Sequence, residues 1–505
     1  MRKPLFTLLC LLLLLAPFAA AANTSRPNII IVLCDDLGQG DPRCYNPDSK
    51  IPTPNMDRLA KEGMRFTDAH TPSSVCTPTR YSTLTGRYCW RGSLKKGVLW
   101  NGWAQALIEE DRQTIASMLE PAGYHSAAIG KWHLGWNWQS KTDKPITGKY
   151  HPAEAVDYDK PVERGPLTLG FDHSYLIPAS LDMAPYLYLV DDRAQQAPTD
   201  FTEGSKHRRQ GGGGFWRKGP MAPGFDFYGF LPATTEAAVA YIDDRAAADR
   251  AKQEDTPFFL YFPLPAPHTP WTPSKEFQGD TEVGWYGDFV AQTDWSLGRL
   301  LAALDRNGIA DNTLIVFTSD NGSHWPEGDI KKWGHDANNG WRGQKADIHE
   351  AGHRVPFLVR WPAVIEAGAV SDQMLCLTDL YATMAQIVGH DLAEDEAEDS
   401  TSILPILRGK DEAVRGAMIH HSLNGTFALR FYEWKLIVGL GSGGFTKVDA
   451  KADKAAGIGG QLYNLNNDPQ ETKNLWKDNP ERVAEMMELL ERYKEQGRTR
   501  LWVPD

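Results

Sequence analysis

The sequence predicts an α/β protein. It should have a large doubly wound, mainly parallel sheet flanked by helices, then a small C-terminal α+β subdomain with an antiparallel sheet. Three observations support this. Apolar runs rich in β-branched and aromatic residues recur at 28–33, 257–262, 313–318 and 355–361. Such runs suit strands buried on both faces. Helical patterns at 55–62, 114–120, 234–247 and 289–304 alternate with them, as in βα units. Beyond about residue 403 the texture changes to short strand-like pieces at 426–430 and 435–438 and a helix at 480–496.

The elements follow in chain order. Arg2 and Lys3 precede a leucine-rich apolar run, and Ala19, Ala20, Ala21 and Ala22 end it. This reads as a secretory signal at residues 1–22. The run is short of the ~20 residues that span a bilayer. The mature protein is therefore expected to be exported, periplasmic or extracellular, with no stable membrane anchor. Removing the signal leaves Cys34, Cys44, Cys76, Cys89 and Cys376. That number is odd, so at least one thiol is unpaired or put to another use.

Residues 23–400 are expected to form the large domain. The stretch at about 139–232 breaks the rhythm with Pro, Gly, Asp and aromatics, and reads as an insertion over one sheet face. It includes a basic patch at 206–218. The acidic run at 391–399 reads as a solvated connector, and residues 401–505 as the C-terminal subdomain. Of 505 residues, 42% are hydrophobic and 23% charged, which excludes a wholly disordered chain. The formal charge of −12 argues against a nucleic-acid partner.

In open parallel sheets, ligands bind beyond the carboxyl ends of the strands. Asp35 and Asp36 follow the first apolar run, and Asp320 and Asn321 follow that at 313–318. His268 follows 257–262, while Lys131 and His133 follow a strand-like piece at 124–129. Asp and Asn also cap helices and form turns, but four strand ends converging is a stronger signal. Asp35, Asp36, Asp320 and Asn321 offer only oxygen, which suits calcium, with magnesium open. The histidines raise zinc, but no H-E-x-x-H spacing occurs. Cys76 opens C-T-P-T-R-Y-S-T-L-T-G. Pro78 fits a first helical turn, so Cys76 lies at a helix N-terminus near Arg80, where negative charge is favoured.

That eleven-residue string resembles the signature of the type I sulfatases of the alkaline phosphatase superfamily. P-N-I-I-I-V-L-C-D-D, G-K-W-H-L-G, P-A-P-H-T-P, T-S-D-N-G, R-G-Q-K and Q-L-Y-N-L-N-N-D-P-Q-E-T-K-N-L resemble further family blocks in family order. They span residues 27 to 475. One departure is visible: Ala351 in H-E-A-G-H-R-V-P stands where the family more often has glycine.

The resemblance implies that a separate maturation enzyme oxidises Cys76 to formylglycine, whose hydrate is the nucleophile. Asp35, Asp36, Asp320, Asn321 and the modified Cys76 would bind calcium. Arg80, Lys131 and Lys345 would neutralise sulfate oxygens. His268, with Lys345, would protonate the departing alcohol, and His133 would take a proton from the hydrate. Trp132, Trp136 and Trp138, with Trp216, Trp271, Trp285, Trp325, Trp333 and Trp341, suit sugar rings or core packing. The basic patch suits neighbouring sulfates or a solvated loop. The expected substrate is a sulfated glycan. A phosphate or phosphonate ester hydrolase of the same superfamily, and an exported glycan-binding protein without turnover, remain alternatives.

Overall fold

The computed structural model describes residues 26–205, 215–252 and 256–501. The signal at 1–22 and most of the basic patch, 206–214, lie outside the described residues. A ten-stranded sheet forms the centre. Its five middle strands run parallel in the order Thr313–Ser319, Asn28–Asp35, Phe258–Pro267, His125–Lys131 and His173–Ile177. The run at 355–361 is a strand at Phe357–Arg360, but it pairs antiparallel with Thr313–Ser319.

The first strand shows why these runs are continuously apolar. Ile29, Ile31 and Leu33 pack on one face with Leu84, Ile115 and Met384. Ile30 and Val32 pack on the other with Ile242, Phe289 and Leu301. Alternate side chains point to opposite faces, and helices cover both.

The helices cover the expected segments, running longer at three and shorter at 114–120. They occupy Pro54–Glu62, Ile115–Leu119, Phe230–Lys252 and Gly284–Asn307. Thr114 caps the second by accepting the Ser117 N–H, and Gly308 ends the last at φ 70°. The 139–232 stretch does more than cross a face. Its His173–Ile177, Leu189–Val190 and Arg193–Ala194 strands lengthen the sheet itself.

The C-terminal sheet is antiparallel, in the order Ala417–His421, Phe427–Phe431, Trp434–Ile437 and Gln461–Asn464. The Pro480–Glu495 helix lays Val483, Met486 and Leu490 on Met418, Leu429 and Leu436. Lys435 joins the two units. It is fully buried and reaches Glu350 at 3.0 Å, Glu471 at 2.8 Å and His353 Nε2 at 2.9 Å.

The acidic run at 391–399 is not a solvated connector throughout. Glu396, Glu398 and Asp399 are buried. Asp399 binds Arg91 in a two-pronged pair, and Glu398 binds Arg87 and Arg112. These distant arginines supply the counter-charge that makes burial tolerable. No helix among the described residues is long and apolar enough to cross a membrane.

Candidate active site

The carboxyl ends of the parallel strands converge as expected. The first strand ends at Asp35, and Asp36 turns the chain at φ 66°. Both side chains are buried. Asp35 Oδ2 accepts from Lys131 Nζ at the end of the neighbouring His125–Lys131 strand. Lys131 also donates to Ser180 Oγ at 3.2 Å. Asp36 Oδ1 accepts from Lys345 Nζ at 2.6 Å and Asn321 Nδ2 at 2.7 Å. His268 Nε2 stands 3.9 Å from Asp36 Oδ2, while its Nδ1–H donates to the Thr269 carbonyl.

Cys76 begins the Cys76–Thr85 helix. Arg80 lies one turn on, so both face the same side. Its fully buried guanidinium satisfies three elements at once. Nε donates to Asp320 at 2.8 Å, Nη1 to the Lys131 carbonyl at 3.1 Å and Nη2 to the Leu264 carbonyl at 3.3 Å. It also stands 3.9 Å from Asp35. His133 is fully buried at φ 58°. Its Nε2–H donates to the Leu99 carbonyl at 2.7 Å, which leaves Nδ1 as a buried lone pair without a partner. The Leu99 N–H donates to Thr77 Oγ1 at 3.3 Å. One residue therefore ties the helix start to His133.

The structure thus brings together all ten residues singled out from the sequence. Ser180 and the Leu99 backbone were not among them. A hydroxyl and a carbonyl on irregular segments carry no motif.

Burial pushes the Asp35 carboxyl up, but Lys131, His268, Arg80 and Lys345 together hold it well below the usual range. Burial and the charge of Asp35 push Asp320 up to about 7. Burial raises the Cys76 thiol to about 11, against the pull of Lys131 and Lys345. A thiol so high stays protonated at neutral pH, so it is not a ready thiolate nucleophile. Burial works against the charge on Lys345, but Asp36, Cys76 and Asp35 outweigh it and raise its pKa. Burial, then Lys131, lowers His133 well below the usual histidine value.

The residues fit a hard divalent cation. Ligand atoms of Asp35, Cys76 and Asp320 lie within 4.8 Å of one another, as do those of Asp35, Asp36 and His268. Asp35 Oδ1 and Asn321 Oδ1 are buried with no hydrogen-bond donor. Such oxygens are costly unless something positive meets them. Formally, the carboxylates of Asp35, Asp36 and Asp320 balance the charges of Arg80, Lys131 and Lys345. A divalent cation would tip this neutral cluster positive, towards anions.

Lys345 stands on a tight turn. In it, a Cβ on Gly352 would meet the Asp347 carbonyl at 2.0 Å. Ala351 is buried in the short helix Glu350–His353. The essential glycine is thus Gly352, which this chain keeps.

Residues 27–390 match the Sulfatase family model, and residues 338–497 match that of the N-sulphoglucosamine sulphohydrolase C-terminal region. The chain belongs to the sulfatase family. It is an enzyme of sulfate ester hydrolysis. It is 32% identical to an N-acetylgalactosamine-6-O-sulfatase of Bacteroides thetaiotaomicron, over 94% of both chains. It is 33% identical to the steryl-sulfatase of Homo sapiens, over 80% of this chain and 74% of that one. A solved Bacteroides thetaiotaomicron structure, from work on the metabolism of multiple glycosaminoglycans, superposes with a TM-score of 0.78 at 30% identity. It covers 93% of this chain and 100% of that one. A protein solved with k-i-k-neocarrahexaose shares the fold, with a TM-score of 0.69 at 24% identity over 95% of each chain.

The tryptophans divide. Trp132, Trp136, Trp138, Trp271 and Trp325 are buried in the core. Sugar contact through the Trp132–Trp138 group is therefore ruled out, because the rings pack against one another and Phe171.

Proposed function

We propose that this sulfatase removes sulfate from a sulfated carbohydrate, with Cys76 matured to formylglycine and calcium bound, magnesium being the alternative ion. The observation that carries the reading is the buried cluster around Cys76. It combines a buried thiol, a cationic shell and two oxygens lacking donors. The end-to-end likeness to an N-acetylgalactosamine-6-O-sulfatase supports the carbohydrate.

Asp35, Asp36, Asp320, Asn321 and residue 76 would hold the cation. When present, the cation supplies Lewis-acid polarisation and the matured side chain supplies the nucleophile. The chain's own groups do the rest. Arg80, Lys131 and Lys345 bind and neutralise sulfate oxygens, and preorganised charge of this kind is often the largest catalytic term. His268 delivers a proton from Nε2 to the departing alcohol, with Lys345 beside it. Its Nδ1–H bond to Thr269 holds the ring in place. His133 accepts a proton at Nδ1, since its Nε2 is committed to Leu99.

The same reading makes residues 1–22 a signal for export to the periplasm or beyond. It makes residues 23–400 the catalytic domain and 401–505 the C-terminal subdomain. A separate maturation enzyme acts on Cys76. Mass spectrometry of the peptide containing residue 76, with sulfate release from sulfated oligosaccharides and a small aryl sulfate, tests it. An active enzyme with an unaltered thiol overturns the nucleophile. Release from the aryl ester alone overturns the carbohydrate.

A further inference from the structure

Large apolar side chains exposed singly are ordinary on a protein surface; on a firmly held backbone next to a charged cluster they are placed to meet a ligand. Two such rings stand beside the catalytic cluster. Trp100 is 58% exposed and Phe445 is 44% exposed.

Trp100 follows Leu99, whose N–H and carbonyl are bound by Thr77 and His133. Its own carbonyl accepts from Arg217 Nη1 at 3.1 Å. The backbone is thus pinned on both sides while the indole faces outward.

Phe445 belongs to the glycine-rich stretch G-L-G-S-G-G-F-T at 439–446 of the C-terminal unit. Gly444 lies flush on the residue after Lys345: a Cβ there would meet the Ala346 carbonyl at 2.2 Å. Thr446 N–H donates to Asp347 Oδ1 at 3.0 Å, just past the ring. The Phe445 ring lies 4.9 Å from that of His324. His324 lines a small pocket with Asp36 and Thr269. The backbone next to one ring is therefore bound to His133, and the other ring reaches the Asp36 pocket through His324.

We propose that Trp100 and Phe445 are specificity-determining residues that stack on the pyranose faces of the sulfated glycan and position its ester over residue 76. This rests on the carbohydrate reading above. An aromatic face is a broad, rigid apolar surface that loses little freedom on contact. It suits the C–H face of a sugar and leaves the sulfate to the charged cluster. The role that the sequence suggests for the Trp132–Trp138 group thereby passes to rings with no recognisable motif.

The test compares wild type with Trp100→Ala and Phe445→Ala on a sulfated oligosaccharide that wild type cleaves. KM is expected to rise about tenfold for each, as loss of one stacked ring implies, while kcat stays within about threefold. Trp100→Phe and Phe445→Tyr are expected to recover most of the affinity. Phe445→Leu, which keeps apolar bulk without a flat face, is expected to behave like Phe445→Ala. Tyr432→Ala, 55% exposed at a distant hairpin, is expected to leave KM unchanged. Circular dichroism checks folding of every variant. KM within twofold of wild type in folded Trp100→Ala and Phe445→Ala overturns the proposal and spares the carbohydrate reading. Wild-type release from aryl sulfate but from no sulfated oligosaccharide overturns both.

Discussion

Replacing His133 separates a chemical role from a structural one, because its two nitrogens have different partners. Nε2–H holds the Leu99 carbonyl at 2.7 Å, whereas Nδ1 is a buried lone pair. In His133→Gln, the amide N–H lies near the old Nε2 position, so the Leu99 carbonyl keeps its donor. Only the basic lone pair is lost. In His133→Ala the carbonyl loses its donor, which costs about 1–3 kcal/mol when buried. A cavity also opens where the ring was, adding about 2 kcal/mol or more. Stability should therefore fall by about 3–5 kcal/mol in His133→Ala and by less than about 1 kcal/mol in His133→Gln. Turnover should fall alike in both, by about 10²–10⁴, the usual worth of a positioned base. The assay pairs urea unfolding with initial rates of sulfate release. Activity in His133→Gln within threefold of wild type would refute the assignment of Nδ1 as proton acceptor. Equal destabilisation of both variants would refute the claim that Nε2 serves Leu99.

Three further outcomes are expected. After chelation, calcium should raise the thermal midpoint of wild type, and Asn321→Leu should need at least about tenfold more calcium for the same rise; identical titration curves would remove Asn321 from the ligands. Burial lowers His421 to about 4, below an unfolded value near 6.5. Its contribution, about 3 kcal/mol, should be complete above pH 6.5 and be lost as pH falls towards 4. Denaturant unfolding across that window should show a shallower pH slope in His421→Leu than in wild type. Lys435→Met leaves Glu350 and Glu471 buried without their shared cation and should cost about 3–5 kcal/mol. Adding Glu471→Gln should recover part of that, as read by urea midpoints.

Part of the candidate site was legible because its residues lie at or just beyond the ends of apolar runs, while Cys76, Arg80 and Lys345 were legible only through the C-T-P-T-R string and the R-G-Q-K block. Asp35, His268 and Asp320 occupy strand ends whose buried partners are themselves continuous apolar runs, so order along the chain becomes proximity in space. What stayed hidden depended on partners far away in sequence. Glu398 and Asp399 look solvated by composition, yet Arg87, Arg91 and Arg112 bury them. Trp136 looks like a sugar platform until its neighbours Trp132 and Trp138 enclose it. The strand at 357–360 looks parallel from its apolar texture, because burial on both faces writes the same pattern whichever way a strand runs.

The turn that carries Lys345 is held in part by residues made much later. Leu423, Ser442, Thr446 and Glu471 all belong to the C-terminal unit. Ser442 accepts from Ile348 N–H at 2.7 Å, and Glu471 accepts from Glu350 N–H at 2.7 Å. A growing chain therefore makes its parallel strands before part of this turn's bracing exists. A polypeptide cut short before residue 471 would lack the acceptor for the Glu350 N–H and the second carboxylate on Lys435.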